Sequence, residues 1–118
     1  MRYKRADRVS ALLLRELAAM IEEGVKNPNI GFVTVTAVEV SDDLRHAKVY
    51  VVAHGDDAGR AKTLKALEDS VPRMRRELAR TLDLRYVPTL AFLVDRSFDH
   101  ADRIQRLLDK IREEEKDA

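Results

Sequence analysis

Apolar residues along this chain keep a helical period, change to a strand period, and then alternate between the two. Val9, Leu13, Leu17 and Ile21 recur every fourth residue, with Leu14 and Met20 widening the stripe, which predicts an amphipathic helix from about Ala6 to Glu23. Gly24 is placed to end it, and Lys26-Asn27-Pro28-Asn29 reads as a loop. Phe32 to Val40 is rich in β-branched residues without internal Gly or Pro, so it reads as a strand. After a turn at Ser41-Asp42-Asp43-Leu44, the stretch Ala47–Ala53 alternates. Ala47, Val49, Val51 and Ala53 share one face, and Lys48, Tyr50 and Val52 share the other. The two strands and their short connection predict an antiparallel hairpin.

His54-Gly55-Asp56-Asp57 breaks the strand pattern, and the helical period returns from Ala58 to Leu82 through Leu64, Leu67, Val71, Met74, Leu78 and Leu82. Pro72 lacks an N–H and disfavours helical geometry just before it, so a kinked pair of helices is expected, with the break at Ser70-Val71-Pro72. Leu84 to Pro88 reads as a loop and Leu90 to Val94 as a third strand. A last helix follows, capped by Ser97 or Asp99, with Ile104, Leu107, Leu108 and Ile111 as its apolar face and fraying expected over residues 113–118. The order αββααβα, without repeats or a low-complexity linker, predicts one α+β domain over residues 1–118.

Composition narrows the chemistry. Without cysteine, disulfides and thiolate metal sites are excluded. No run is apolar enough to span a bilayer, and the basic start is not followed by a signal-type segment, so a cytoplasmic protein is expected. Charged residues make up 36% of the chain, yet the net charge is +1. Placement is therefore more informative than the total. Arg2, Lys4, Arg5, Arg8 and Arg15 face only Asp7 in the first fifteen residues, and Arg73, Arg75, Arg76, Arg80 and Arg85 face only Glu77 and Asp83 between residues 72 and 88. The first group crowds the positive end of a helix dipole, where an anion would relieve the repulsion. At about 100° per residue, Met74, Leu78 and Leu82 fall within about 60° of Val71, and Arg73, Arg76 and Arg80 fall opposite. Arg75 lies at the edge of the apolar stripe, where its stem packs and its guanidinium is expected to reach water.

Catalytic patterns are missing. His46, His54 and His100 lack the spacing of a helical metal site, and Asp42-Asp43 and Asp56-Asp57 sit in turns, where aspartate satisfies backbone donors. The serines lack a nucleophile signature, and glycines at 24, 31, 55 and 59 make neither a phosphate loop nor a dinucleotide fingerprint. The expectation is a binding protein with no cofactor, metal or catalytic residue.

Two segments carry a family resemblance. Val33-Thr-Val-Thr-Ala-Val-Glu-Val-Ser-Asp-Asp-Leu-Arg-His-Ala-Lys-Val-Tyr-Val51 resembles the central motif of the bacterial ribosome-binding factor A family. Leu84-Arg-Tyr-Val-Pro-Thr-Leu-Ala-Phe-Leu-Val-Asp-Arg-Ser97 is similar to its L-R-x-x-P-x-L-x-F-x-x-D segment, and Arg5, Arg8, Arg103-Ile104 and Leu107-Leu108 match as well. The resemblance implies a K-homology-like fold of the bacterial type, a three-stranded sheet covered by helices. It also implies a monomer that binds the free 30S subunit, contacts 16S rRNA and neighbouring ribosomal proteins, and assists late maturation of the 5′ end. Cold adaptation and release assisted by a GTPase belong to the same implication. Where the family carries A-x-G at the helix kink, Ser70-Val71-Pro72 stands here. Pro72 offers no N–H to a phosphate, so side chains are expected to hold the RNA. Ser70 is expected either to cap the following helix or to contact phosphate.

The candidate RNA-binding set is Arg2, Lys4, Arg5, Arg8, Arg45, Lys48, Ser70, Arg73, Arg75, Arg76, Arg80 and Arg85. The alternative at this point is a protein-interaction or small-ligand regulatory module on the same α+β frame, suggested by the acidic end of the chain and the face carrying Tyr50 and Val52.

Overall fold

The computed structural model describes the backbone of residues 2–23 and 27–117, and the side chains of these apart from 2–4, 98–102 and 117. Its elements are α1 (Arg2–Glu22), β1 (Val33–Val40), β2 (His46–Ala53), α2 (Asp57–Asp69), α3 (Val71–Thr81), β3 (Thr89–Val94) and α4 (Ser97–Asp117). This is the αββααβα order of the sequence pattern. Gly24, the expected end of α1, and Asp99, one expected cap of α4, lie outside what is described in full.

α1 begins at Arg2, a turn before Ala6, because nothing between them breaks a helix. Its stripe of Ala6, Val9, Leu13, Leu17 and Ile21 is buried, with Leu13 and Leu17 fully inaccessible. β1 pairs antiparallel with β2 from Val33↔Ala53 to Val40↔Ala47, and the register shifts between Val35 and Ala37. The extra residue at this bulge reverses the strand's parity, so Val33 and Val35 face the core before it and Val38 and Val40 after it. The sequence V-T-V-T-A-V-E-V is written for that switch.

The hairpin turn closes through Ser41 N–H to the His46 carbonyl (2.9 Å) and Leu44 N–H to the Ser41 carbonyl (2.8 Å), with Leu44 at φ 63°. Asp43 accepts from the Ser41 hydroxyl at 2.6 Å and the Arg45 N–H at 3.0 Å, and these bonds lower its carboxyl pKa. Asp43 therefore serves the backbone donors of its own turn. Asp56 does the same at the start of α2, accepting from Gly59 N–H at 2.7 Å.

β3 runs parallel to β2, from His46↔Thr89 to Val51↔Val94, in a sheet of order β1-β2-β3. A parallel neighbour requires a crossover, which α2 and α3 supply. Leu67, Met74 and Leu78 are buried with the α1 stripe against Val49, Val51, Leu90 and Phe92. Lys48, Tyr50 and Val52 occupy the opposite face of β2.

One expectation changes at the last helix. Ile104, Leu107, Leu108 and Ile111 are exposed, so the apolar face of α4 does not cover the sheet. The helix runs to Asp117. Its entry is held by Asp95, which accepts from Ser97 N–H at 3.0 Å and the Ser97 hydroxyl at 2.6 Å. Ser97 is thus the donor in this turn, and Asp95 supplies the accepting oxygen.

Candidate nucleic-acid interface

α3 turns its arginines outward because its inward face is fully used. Met74 and Leu78 are inaccessible on one side, and Arg73, Arg76 and Arg80 are exposed on the other. These three arginines line one cleft of about 570 Å³ with Met20 and Glu23 from the end of α1 and with Met74 and Glu77. Arg80 forms an exposed ion pair with Glu77, one turn before it. Such a pair contributes less than about 1 kcal/mol, so a phosphate can displace the carboxylate at little cost. Arg73 and Arg76 also border a smaller hollow at the helix junction, with Asn27, Pro28, Asp69, Ser70 and Pro72.

At the junction itself the Ser70 hydroxyl is engaged within the protein. Ser70 is 7% exposed, and its hydroxyl donates to the Ala66 carbonyl at 2.8 Å while accepting from Asn27 Nδ2 at 3.2 Å. It makes no side-chain cap to α3. The capping role expected of Ser70 is corrected: the hydroxyl bonds backward into α2 instead. Pro72 sits in the first turn of α3, where its missing N–H breaks no helical bond.

Arg75 also differs from expectation. Its guanidinium donates from Nε to the Pro88 carbonyl at 3.1 Å and from Nη2 to the Val87 carbonyl at 2.8 Å. The side chain is half-buried and fastens the α3–β3 loop. Two of its guanidinium nitrogens, Nε and Nη2, are thereby engaged within the protein.

Of the remaining candidates, Arg5 and Arg85 meet at a second cleft, of about 390 Å³, bordered by Val9, Asp43, Asp83 and Tyr86. Arg5 and Met20 are fifteen residues apart on α1, roughly 22 Å along that helix, whereas Arg80 of the first cleft and Asp83 of the second are only three residues apart in the chain, so the clefts are neighbours. The fold places Arg5 in one cleft with Arg85, and Arg73, Arg76 and Arg80 in the other. Arg8 is exposed on α1, and Arg45 is exposed in the hairpin turn. Lys48 points from the sheet face opposite the buried Ala47 and Val49. The side chains of Arg2 and Lys4 lie outside the described residues.

Periodicity did not single out Tyr86. It is 70% exposed, and Arg85 Cζ lies 5.7 Å from its ring centroid. A lone tyrosine in a loop belongs to no repeating pattern, so only its surroundings reveal it. The described histidines are engaged with threonines: His46 Nδ1 lies 2.9 Å from Thr89 Oγ1, and His54 Nε2 lies 3.3 Å from Thr34 Oγ1. His100 lies outside the described side chains. Among the described residues no group of three or more His, Asp or Glu has metal-binding geometry, and no helix is long and apolar enough to cross a membrane.

A kinked helix pair over a three-stranded sheet is the fold that the family resemblance implies. The family model described as ribosome-binding factor A matches residues 5–108. The chain belongs to the ribosome-binding factor A family. It is 42% identical over 113 residues to the ribosome-binding factor A of Geobacter metallireducens, covering 96% of each chain. The crystal structure of ribosome-binding factor A from Thermus thermophilus superposes with a TM-score of 0.66 at 34% identity, covering 75% of this chain and 93% of that one. A homology model of the Thermus thermophilus factor, fitted into a cryo-electron-microscopy map of its complex with 30S, gives a TM-score of 0.62 at 36% identity, covering 74% of this chain and 91% of that one.

Proposed function

We propose that this chain is a non-catalytic, cytoplasmic assembly factor that binds the free 30S subunit as a monomer. In this reading it contacts 16S rRNA and assists late maturation, including that of the 5′ end, and a GTPase assists its release. The observation that carries the RNA contact is the exposed row of Arg73, Arg76 and Arg80 above a cleft, backed by a fully buried face. Arginine forks grip phosphate oxygens in pairs and suit the irregular backbone of a folded RNA. Family membership supports the same reading, and a Thermus relative has been fitted into a 30S complex.

Co-sedimentation with purified 30S subunits across a salt series tests it. Binding weakens steeply with salt because each neutralised phosphate releases counterions. Changing Arg73, Arg76 and Arg80 together to Ala lowers affinity and flattens the log–log salt slope by about two. Equal binding at low and high salt, or an unchanged slope in the triple variant, removes the α3 face from the interface.

A second reading, a protein-interaction module, is favoured by the exposed Ile104, Leu107, Leu108 and Ile111 of α4. It is compatible with the first if α4 meets a ribosomal protein on the same subunit. Replacing Leu107 and Ile111 with Gln then weakens 30S binding while leaving binding to naked 16S RNA intact. Failure of that difference to appear sets the second reading aside.

A further inference from the structure

Arg5 and Arg85 are eighty residues apart in the chain, yet they border one cleft with Tyr86, Asp43 and Asp83. Tyr86 is 70% exposed, as Phe32 is at 74%, but Tyr86 alone of the two borders this cleft. Arg85 lies close to this ring, at 5.7 Å from its centroid, and the exposure leaves much of the ring open to solvent. The segment presenting it is fixed on both sides. Leu84 N–H donates to the Leu82 carbonyl at 2.9 Å, Arg75 holds the carbonyls of Val87 and Pro88, and Pro88 is fully buried. A ring held on such a loop loses little further freedom when a ligand stacks on it.

The polar groups narrow the ligand class. Two arginines alone would fit any small anion, but Asp43 and Asp83 border the same cleft and repel one. A nucleotide reconciles both signs. Its phosphate faces the guanidiniums, its base stacks on the ring, and its ring or amino N–H groups face the carboxylates. The cleft volume of about 390 Å³ lies within the range of small-molecule sites.

We propose that this cleft takes a single unpaired nucleotide of the bound RNA, with the base stacked on Tyr86 and the phosphate on Arg5 and Arg85. The proposal rests on the RNA-binding reading above, and adds a second cleft, next to the one lined by Arg73, Arg76 and Arg80, that grips an unpaired base. α3 then supplies salt-sensitive attachment, and the loop supplies preference for an unstacked strand.

Fluorescence anisotropy with a short labelled single-stranded RNA of mixed sequence, and with a fully paired RNA hairpin, tests the site. The proteins compared are the unaltered chain, Tyr86→Ala, Tyr86→Phe and the triple Arg73/Arg76/Arg80→Ala variant. Tyr86→Ala weakens single-strand binding roughly 5- to 100-fold without changing its salt slope, and Tyr86→Phe retains it, because stacking needs the ring and not the hydroxyl. Paired RNA binds Tyr86→Ala as well as it binds the unaltered chain. Circular dichroism shows the same thermal midpoint for Tyr86→Ala, since its ring is exposed. If Tyr86→Ala binds single strands normally while the triple variant does not, the stacking site is wrong and the α3 reading stands. Equal loss on single-stranded and paired RNA overturns it as well. If the unaltered chain binds neither RNA, the RNA-binding reading falls and takes this site with it.

Discussion

Arg75 Nη2 donates to the carbonyl oxygen of Val87 at 2.8 Å, tying the middle of α3 to the loop that enters β3. A second bond, from Nε to Pro88, makes the attachment two-pronged. Both bonds fasten this arginine to the fold. Arg75→Ala leaves two carbonyls without their donor and is expected to cost about 1.5–3 kcal/mol in urea denaturation. Arg75→Lys restores the charge without the fork geometry, so it recovers only part of the loss. Full recovery by lysine would show that charge alone matters at this position.

Ser70 provides a complementary test at the helix junction. Its hydroxyl is committed to Ala66 and Asn27, so Ser70→Ala is expected to lower stability by about 1 kcal/mol and leave RNA affinity unchanged. The reverse result, intact stability with weakened RNA binding, would mean that the hydroxyl contacts phosphate after all.

Asp95 links three elements through its carboxylate. Oδ2 accepts from Thr36 Oγ1 at 2.5 Å, across the sheet at the β1 bulge, and Oδ1 accepts from the Ser97 hydroxyl and N–H at the start of α4. The bonds from Ser97 and then Thr36 hold its carboxyl below the ordinary value of 3.8. A group whose pKa is depressed in the folded state stabilises that state above its unfolded pKa. The stabilisation is lost as pH falls through the folded value. The urea midpoint of the unaltered protein should therefore fall relative to that of Asp95→Asn as pH drops below about 4, and the gap should be constant from about pH 5 to 7. A gap that grows on acidification reverses the sign and rejects the assignment.

The exposed stripe of α4 makes a prediction by contrast with α1. Leu107 is 61% exposed and Leu13 is fully buried. Leu107→Gln should change the unfolding free energy by no more than about 0.5 kcal/mol, whereas Leu13→Ala should cost about 2–5 kcal/mol. A loss near about 2 kcal/mol for Leu107→Gln would show that α4 packs on the domain in solution.

Local pattern by itself determined the elements of this protein and much of their orientation. The four-residue recurrence in α1, the alternation in β2 and the break at Pro72 each reappear in the fold, because each is a statement about one segment's own backbone period. The outward row of Arg73, Arg76 and Arg80 was legible for the same reason: angles around a helix follow from spacing alone. Tertiary structure decided what stands opposite each face. Arg75 lies about 40° from Val71 on the wheel, at the edge of the apolar stripe, but only the approach of the Val87–Pro88 carbonyls assigns its guanidinium to the fold. Ser70 carries the composition of a cap, yet Asn27, 43 residues away, joins its hydroxyl in bonding back toward Ala66. Arg5 was grouped with its basic neighbours by position in the chain, while the fold places it beside Arg85 and Tyr86. Ile104, Leu107, Leu108 and Ile111 have the spacing of a core face and stay in water. Periodicity records which residues share a face; whether another surface arrives to cover it depends on segments distant in the chain, and no local spacing encodes that.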